Sequence, residues 1–351
     1  MRAFPEEITL YLTQKCDLHC IMCDADFTVS SPNQLELSFD VIVKTFEQIS
    51  PKSVTLLGME PLLYSRIDEL LLFLKTRPVY VYLGTNGSFI PHHLETILEC
   101  VHTVTISIDS HEAKIHDTIR KKEGAFNHTI HGVQSLLDRR NRTFPIVTVI
   151  CVITQLNYRT LEEFAKRMYK IGVDIVRFNF PRFLSEQLAR EQNEVVNRIG
   201  HLPSFRRVLP SPEFSELDPE ILIKSIEKVK QYPFVIIHGP ENKEEIVNYF
   251  SEKPTMPSGR CFASKTLSLF PTGDVILCHD FPDVSLGSFE SPHFWDQLDG
   301  DNVQDLKRGG VFPSCVRCNK YYPAYGGGVQ KWTSLLRKLP SPSNTQPLVI
   351  H

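Results

Sequence analysis

From residue 7 to 180 the chain alternates short apolar runs with stretches of helical periodicity. The apolar runs are Ile8 to Leu12, Val54 to Leu57, Val79 to Leu83, Val104 to Ile108, Ile146 to Ile153 and Ile175 to Phe180. Each is strand-sized and rich in β-branched residues, which suit a pleated, buried surface. Between the runs, apolar positions recur at helical spacing: Ile42, Phe46 and Ile49; Ile67, Leu70, Leu71 and Leu74; Ile130, Val133 and Leu137; Leu161, Phe164, Ala165 and Met168. Repeated β-α units of this kind predict an α/β fold, a parallel sheet with crossover helices that is either open or curled into a partial barrel of six units. Functional loops in such a sheet follow the C-terminal ends of the strands.

After Pro181 the alternation fails. Residues 183–258 read as a connector, with a helix around Leu222, Ile226 and Val229, a short run from Phe234 to Ile237, and breakers at Leu202-Pro203 and Leu209-Pro210-Ser211-Pro212. Residues 259–325 form a small cysteine-bearing domain in which PTGDVILC predicts a hairpin turning at Thr272-Gly273. A C-terminal extension over 326–351 follows, and its end from Pro340 is expected to be disordered. The first domain is then 1–182.

Composition narrows the function. A chain of 351 residues with 42% hydrophobic content and 22 Phe can bury one large core and a smaller one. With 38 Lys+Arg against 41 Asp+Glu, the net charge of −3 leaves no electrostatic footprint for nucleic acid. No run approaches the roughly 18 to 20 apolar residues that span a bilayer. The N-terminus lacks the basic, apolar and small-residue regions of a signal peptide, so a cytoplasmic location is expected. Nine cysteines in a reducing compartment need a reason other than disulfides. Their positions supply one, because Cys16, Cys20 and Cys23 form one group, Cys261, Cys278, Cys315 and Cys318 another, and Cys100 and Cys151 stand alone.

Three thiolates in one short loop are soft ligands for an iron-sulfur cluster or for zinc, with His19 or Asp24 as a fourth zinc ligand. On a four-iron cluster they leave one iron open to a small molecule. The CxxxCxxC spacing after a first strand resembles the radical S-adenosylmethionine (SAM) superfamily. Gly58-Met59-Glu60-Pro61 after strand two resembles the GGEP motif of that family, and Thr85-Asn86-Gly87 follows strand three as it does there. Ser107-Ile108-Asp109-Ser110, His116-Asp117-Thr118-Ile119-Arg120 and Gly124-Ala125-Phe126 resemble the SxDG, HDxxRG and GSF stretch of relatives with auxiliary clusters. Met22, Met59, Ser110 and Lys121 depart from the pattern, and none of them replaces a metal ligand.

The resemblance implies a 4Fe-4S cluster on Cys16, Cys20 and Cys23, with SAM on its open iron. Met22, Gly58 and Asn86 would lie on the cofactor side. Glu60 would accept a hydrogen bond from the methionyl ammonium, Ser107 and Arg120 would hold the carboxylate, and Asp109 would sit near the ribose. It also implies an external one-electron donor such as flavodoxin or ferredoxin. Reductive cleavage then gives methionine and a 5′-deoxyadenosyl radical that abstracts hydrogen from a substrate carbon.

The C-x11-G-x4-C opening at Cys261, Gly273 and Cys278, followed by CxxC at Cys315 and Cys318, resembles the twitch domain. That resemblance implies a second, fully ligated 4Fe-4S cluster; a four-cysteine zinc site is the alternative. A closed cluster can take an electron from a substrate radical, so the leading expectation is alcohol oxidation of a polyhydroxylated small molecule such as a sugar or cyclitol. Three alternatives are a radical epimerase using Cys151 or Cys100 as hydrogen donor, a ribosomal-peptide-modifying enzyme, and a zinc-binding structural protein. Only fifteen residues precede Cys16, which weakens the peptide alternative because a leader-binding domain is expected there. Arg177 and Asn179 share one face of strand six and are candidate substrate or SAM contacts. His279-Asp280 after Cys278 could accept a proton or support the cluster, while Phe294, Trp295, Tyr321 and Tyr322 read as packing residues.

Overall fold

The computed structural model describes residues 5–23, 35–141, 144–183, 216–256, 266–276, 285–291, 293–299 and 313–317, with scattered positions between 185 and 194. Strands β1 (Glu7–Tyr11), β2 (Ser53–Leu57), β3 (Tyr80–Thr85), β4 (Thr103–Ser107), β5 (Ile146–Val152) and β6 (Ile175–Asn179) lie within two residues of the predicted runs. They alternate with helices α1 (Phe39–Gln48), α2 (Ile67–Lys75), α3 (Leu94–Cys100), α4 (Ala113–Arg120), α5 (Ala125–Arg139) and α6 (Leu161–Ile171). Helix α6 illustrates why these segments fold as they do. Leu161, Phe164, Ala165 and Met168 make one buried stripe, Glu162 and Glu163 occupy the first turn, and Gly172 ends it with φ of 104°. Burying Phe164 or Met168 contributes about 1.5 to 3 kcal/mol each.

β1 to β6 are all parallel to their neighbours, in sequence order. Sequential right-handed crossovers put every helix on one face, so the sheet curls into an open partial barrel. Strand alternation then divides the residues. Ile8, Leu10, Val54, Leu56, Val81, Leu83, Val104, Ile106, Val147, Val149, Val176 and Phe178 are fully buried against the helices in one core. The opposite, inner face carries Thr9, Thr55, Thr105 and Thr148, with Thr9 beside Thr55 and Thr105 beside Thr148 in the register. Ile146, Ile175 and Ile236, with Phe144 against them, form a separate apolar cluster. Strand parity sets those three isoleucines on the inner face.

The connector departs from expectation. Helix α7 (Pro219–Val229) leads into β7 (Val235–His238), which pairs in parallel with β6 and extends the same sheet, and helix α8 (Lys243–Phe250) follows. Asp218 caps α7 by accepting from Glu220 N and Ile221 N. A boundary at residue 182 therefore cuts a continuous sheet, because Phe234 to Ile237 offers the same apolar edge as the six earlier runs. The predicted breakers between 202 and 212 lie outside the described residues.

On the other edge, β8 (Thr266–Leu269) joins β1 in parallel, and β9 (Val275–Ile276) returns antiparallel through the predicted hairpin, where Gly273 has φ of 86°. Helix α9 (Phe294–Asp299) buries Phe294 against Phe289 at 4.7 Å, so Phe294 is a packing residue. Trp295 lies 5.0 Å from Phe294 in the same cluster. Cys261, Cys278, Cys318, His279, Asp280, Tyr321, Tyr322 and the extension over 326–351 lie outside the described residues.

Candidate active site

The loop after β1 carries Cys16, Cys20 and Cys23 and is tied down on both sides. Met59 N donates to Thr13 O (3.1 Å) and Glu60 N to Lys15 O (2.9 Å), while Ile21 N donates to Ile119 O (2.9 Å) and His19 N to Arg120 O (3.4 Å). The loop is thus held between the β2 loop and the end of α4. Leu18, 2% exposed, anchors its middle, and Met22 packs half-buried against the core edge.

Two sulfurs receive N–H groups, Cys16 Sγ from Leu18 N at 3.4 Å and Cys20 Sγ from Arg120 Nη1 at 3.5 Å. Burial pushes the Cys16 thiol up to about 12, so a thiolate there needs a bound cation to persist. Among the described residues no three His, Cys, Asp or Glu side chains converge closely enough to hold a single metal ion. The N–H groups directed at the Cys16 and Cys20 sulfurs suit the thiolate ligands of an iron-sulfur cluster. Asp24 lies outside the described residues.

Gly58 shows why glycine starts the second motif. Its φ is 147°, and a Cβ would stand 3.0 Å from Thr13 O, where the cysteine loop passes. Glu60, expected to accept from the methionyl ammonium, is held by protein donors. It is fully buried, and its carboxylate accepts from Leu62 N (3.1 Å), Thr85 Oγ1 (2.7 Å) and Asn86 N (2.7 Å). With no exposed surface, it braces the loops after β2 and β3 from beneath. Burial raises its pKa to about 7 against the opposing effect of those donors.

Asn86 donates through Nδ2 to Asp17 Oδ1 (2.7 Å), and Asp17 Oδ2 pairs with Lys122 Nζ (2.6 Å). Asp17 therefore ties the cysteine loop to both the β3 loop and the end of α4.

Asp109, expected near the ribose, is likewise held by protein groups. It is fully buried, its Oδ2 lies 2.6 Å from Arg120 Nε, and its Oδ1 accepts from Val152 N at 2.9 Å. Asp109 N donates to His116 Nδ1 (3.1 Å), so the proton of the His116 ring sits on Nε2. Burial, and then the nearby Arg120, lower His116 to about 3. Asp117 accepts from Gly124 N (2.7 Å) and Phe126 N (2.8 Å), which fixes the start of α5. The HDxxR spacing thus has local tasks: His116 and Arg120 hold Asp109, and Asp117 holds the next helix.

Ser107, Ile150 and Arg177 are successive partners across β4, β5 and β6, which sets Ser107 and Arg177 on one rung of the inner face. One rung further, Asn179 pairs with His238 of β7, whose Nδ1 lies 3.2 Å from Asn179 Oδ1. His238 escapes a reading of the sequence because β7 lies in the stretch read as a connector.

Cys151, expected as a candidate hydrogen donor, lies within the core. Its strand parity turns it toward the helices, it is 0% exposed, and its Sγ sits 3.5 Å from both Asp109 O and Asn157 Nδ2. Cys100 is 4% exposed at the end of α3, and burial pushes its thiol up to about 11.

Of the second cysteine group, Cys315 is described, in the short 3-10 turn Pro313–Arg317. Arg317 fastens that turn. It donates to Tyr249 O (2.8 Å), Ser251 O (2.8 Å) and Phe183 O (3.3 Å), and lies 4.0 Å over the Phe183 ring.

Residues 10–168 match the family model of the Radical SAM superfamily. The chain carries a radical SAM domain. The match covers the cysteine loop and the motifs through Arg120, so a 4Fe-4S cluster and SAM are the cofactors that the family implies. An AdoMet-dependent heme synthase of Methanosarcina barkeri is 30% identical over 167 residues, 46% of this chain and 46% of the relative. The alignment thus spans less than half the length of that relative. SuiB of Streptococcus suis bound to S-adenosylmethionine is similar in structure, with a TM-score of 0.64 at 16% identity over 92% of this chain and 74% of that one. The structure of anSMEcpe with bound AdoMet and Cp18Cys peptide gives a TM-score of 0.57 at 16% identity, covering 94% of this chain and 97% of that one. At these identities the likeness is one of fold, and it extends well beyond the radical SAM domain. Among the described residues no helix is long and apolar enough to cross a membrane.

Proposed function

We propose that this chain is a radical SAM oxidoreductase that removes hydrogen from a carbinol carbon of a polyhydroxylated small molecule of the sugar or cyclitol type. The observation that carries the substrate class is the inner face of the sheet. This face presents Thr9, Thr55, Thr105 and Ser107, all partly accessible, and carries the apolar cluster of Ile146, Ile175 and Ile236 toward β7. Hydroxyls act as both donors and acceptors, and such a lining matches a ligand that is itself rich in hydroxyls.

The bound cluster and SAM supply one reactive species, a 5′-deoxyadenosyl radical. The protein's part is to hold and to exclude. Cys16, Cys20 and Cys23 hold the first cluster, and Met22, Gly58, Asn86 and Ser107 border the cofactor. Arg177, Asn179 and His238 close the far side of the inner face, where they orient the substrate and keep water from the reacting carbon. Cys261, Cys278, Cys315 and Cys318 would hold an auxiliary cluster able to take one electron from the substrate radical as its hydroxyl proton passes to solvent, and an external donor such as flavodoxin or ferredoxin would supply the separate electron used in SAM cleavage.

An anaerobic assay of the reconstituted chain against polyols, nucleosides and peptides tests this reading. We expect 5′-deoxyadenosine above the uncoupled background with a polyol, and a product two hydrogens lighter. A response to peptides alone would replace the substrate class by the peptide alternative, which the peptide-bound anSMEcpe structure favours. Replacing Cys16, Cys20 and Cys23 together by Ala should abolish SAM cleavage, and cleavage that survives refutes the cluster assignment.

A further inference from the structure

Arg120 occupies the position expected to clamp the SAM carboxylate, yet its own contacts leave little of its fork for that purpose. Nε faces Asp109 Oδ2 at 2.6 Å, and Nη1 donates to Cys20 Sγ at 3.5 Å. A guanidinium takes a carboxylate bidentately through an adjacent pair of N–H groups, either Nε with Nη2 or the two terminal nitrogens. Each of those edges has one member already against a partner, Nε in ion-pair contact with Asp109 without an aligned hydrogen bond and Nη1 hydrogen-bonded to Cys20. The residue is only 9% exposed, and its carbonyl also receives His19 N from the cysteine loop. Asp109, which orients the guanidinium, is itself fixed by Val152 N and by His116.

We propose that Arg120 is a positioning residue that sets the reduction potential of the cluster held by Cys16, Cys20 and Cys23, through its N–H to the Cys20 sulfur, rather than a clamp on the SAM carboxylate. The inference rests on the radical SAM reading of the same loop. Its physical basis is that one-electron reduction adds negative charge to the cluster. A nearby cation and an N–H aimed at a ligating sulfur stabilise that charge and raise the potential. Asp109 opposes part of this effect while holding the cation in place. The two residues therefore shift the potential in opposite directions, which a purely structural role would not do.

The test is a potentiometric titration of the anaerobically reconstituted full chain without SAM, followed by electron paramagnetic resonance of the reduced cluster, with SAM binding measured separately by equilibrium dialysis. Arg120→Gln should move the midpoint to lower potential and Asp109→Asn to higher potential. Arg120→Lys, which keeps the charge but not the fork, should fall between Arg120→Gln and wild type. SAM affinity in Arg120→Lys should stay within about threefold of wild type. Unchanged midpoints in all three variants, with SAM affinity lost in Arg120→Lys, would return Arg120 to the carboxylate and overturn the proposal. If Arg120→Gln does not fold, Arg120→Lys and Asp109→Asn still give the two opposite shifts. A wild-type chain that takes up no iron and sulfide would overturn the radical SAM reading itself, and the proposal with it.

Discussion

Substituting Gly132 by Ala pits helix propensity directly against packing. Gly132 lies inside α5, and a Cβ there would stand 2.2 Å from Gly87 O and 3.2 Å from the Gly87 carbonyl carbon. Propensity favours Ala by about 1 kcal/mol. Contact distances below 3 Å require movement, and here both partners are backbone. Gly87 cannot give way easily because its φ is 88° and its own Cβ position is already crowded by Ile106 and Thr129. Helix α5 is pinned at its start by Asp117 and along its length by Thr129 Oγ1, which donates to Asn86 O at 2.9 Å.

Overpacking of this kind costs about 1 to 3 kcal/mol, and stretching the Thr129 hydrogen bond adds about 1 kcal/mol. After subtracting the propensity gain, Gly132→Ala should destabilise by about 2 kcal/mol. Urea unfolding followed by circular dichroism measures it, with an unchanged slope and a lower midpoint. SAM affinity should fall as well, because the displaced loop carries Asn86. A variant about 1 kcal/mol more stable than wild type, as propensity alone predicts, would refute the packing argument.

Cys151→Ala should leave any solvent deuterium in the product unchanged while lowering stability by about 1 kcal/mol; product mass spectrometry in heavy water that shows deuterium lost on substitution would restore Cys151 as a hydrogen donor. His116 has its folded pKa depressed to about 3, so its stabilising contribution is full above its ordinary value of 6.5 and is lost as pH falls toward 3. At pH 5 the loss is about 2 kcal/mol. His116→Asn keeps an acceptor for Asp109 N, so the urea midpoint should lose less between pH 7 and pH 5 than in wild type. Glu60 works in the opposite sense: with a folded pKa raised to about 7, it stabilises below 4.5 and that contribution is lost as pH rises through 7. Glu60→Gln should therefore be relatively more stable at pH 8 than at pH 5, and an equal difference at both would contradict its burial as a charge. Arg317→Leu leaves the carbonyls of Tyr249, Ser251 and Phe183 without their cationic donor and should lower stability by about 3 kcal/mol, read by thermal unfolding; no change in midpoint would mean that the CxxC turn docks by other means.

The sequence by itself determined whatever depends on neighbours within a few residues. Period-two and period-3.6 patterns located β1 to β6 and the helices between them, because burial of one face is written locally in each segment. Thr272-Gly273 announced its hairpin through a positive φ that glycine adopts freely. The spacing of Cys16, Cys20 and Cys23, with Glu60, Asn86 and Arg120 after later strands, pointed to a radical SAM site before any geometry was known.

Tertiary structure alone decided which of these groups are buried against one another. Glu60 and Asp109 carry motif positions, yet both are fully buried, with partners Thr85, Asn86, Val152 and Arg120 supplied by other elements of the fold. The pairing of β7 with β6 and of β8 with β1 was equally illegible, because a strand's neighbour is set by chain-wide register and not by its own pattern. Cys151 shows the same limit most simply. A one-residue change of parity separates the inner face from the helical core, and only the assembled sheet says on which side the thiol lies.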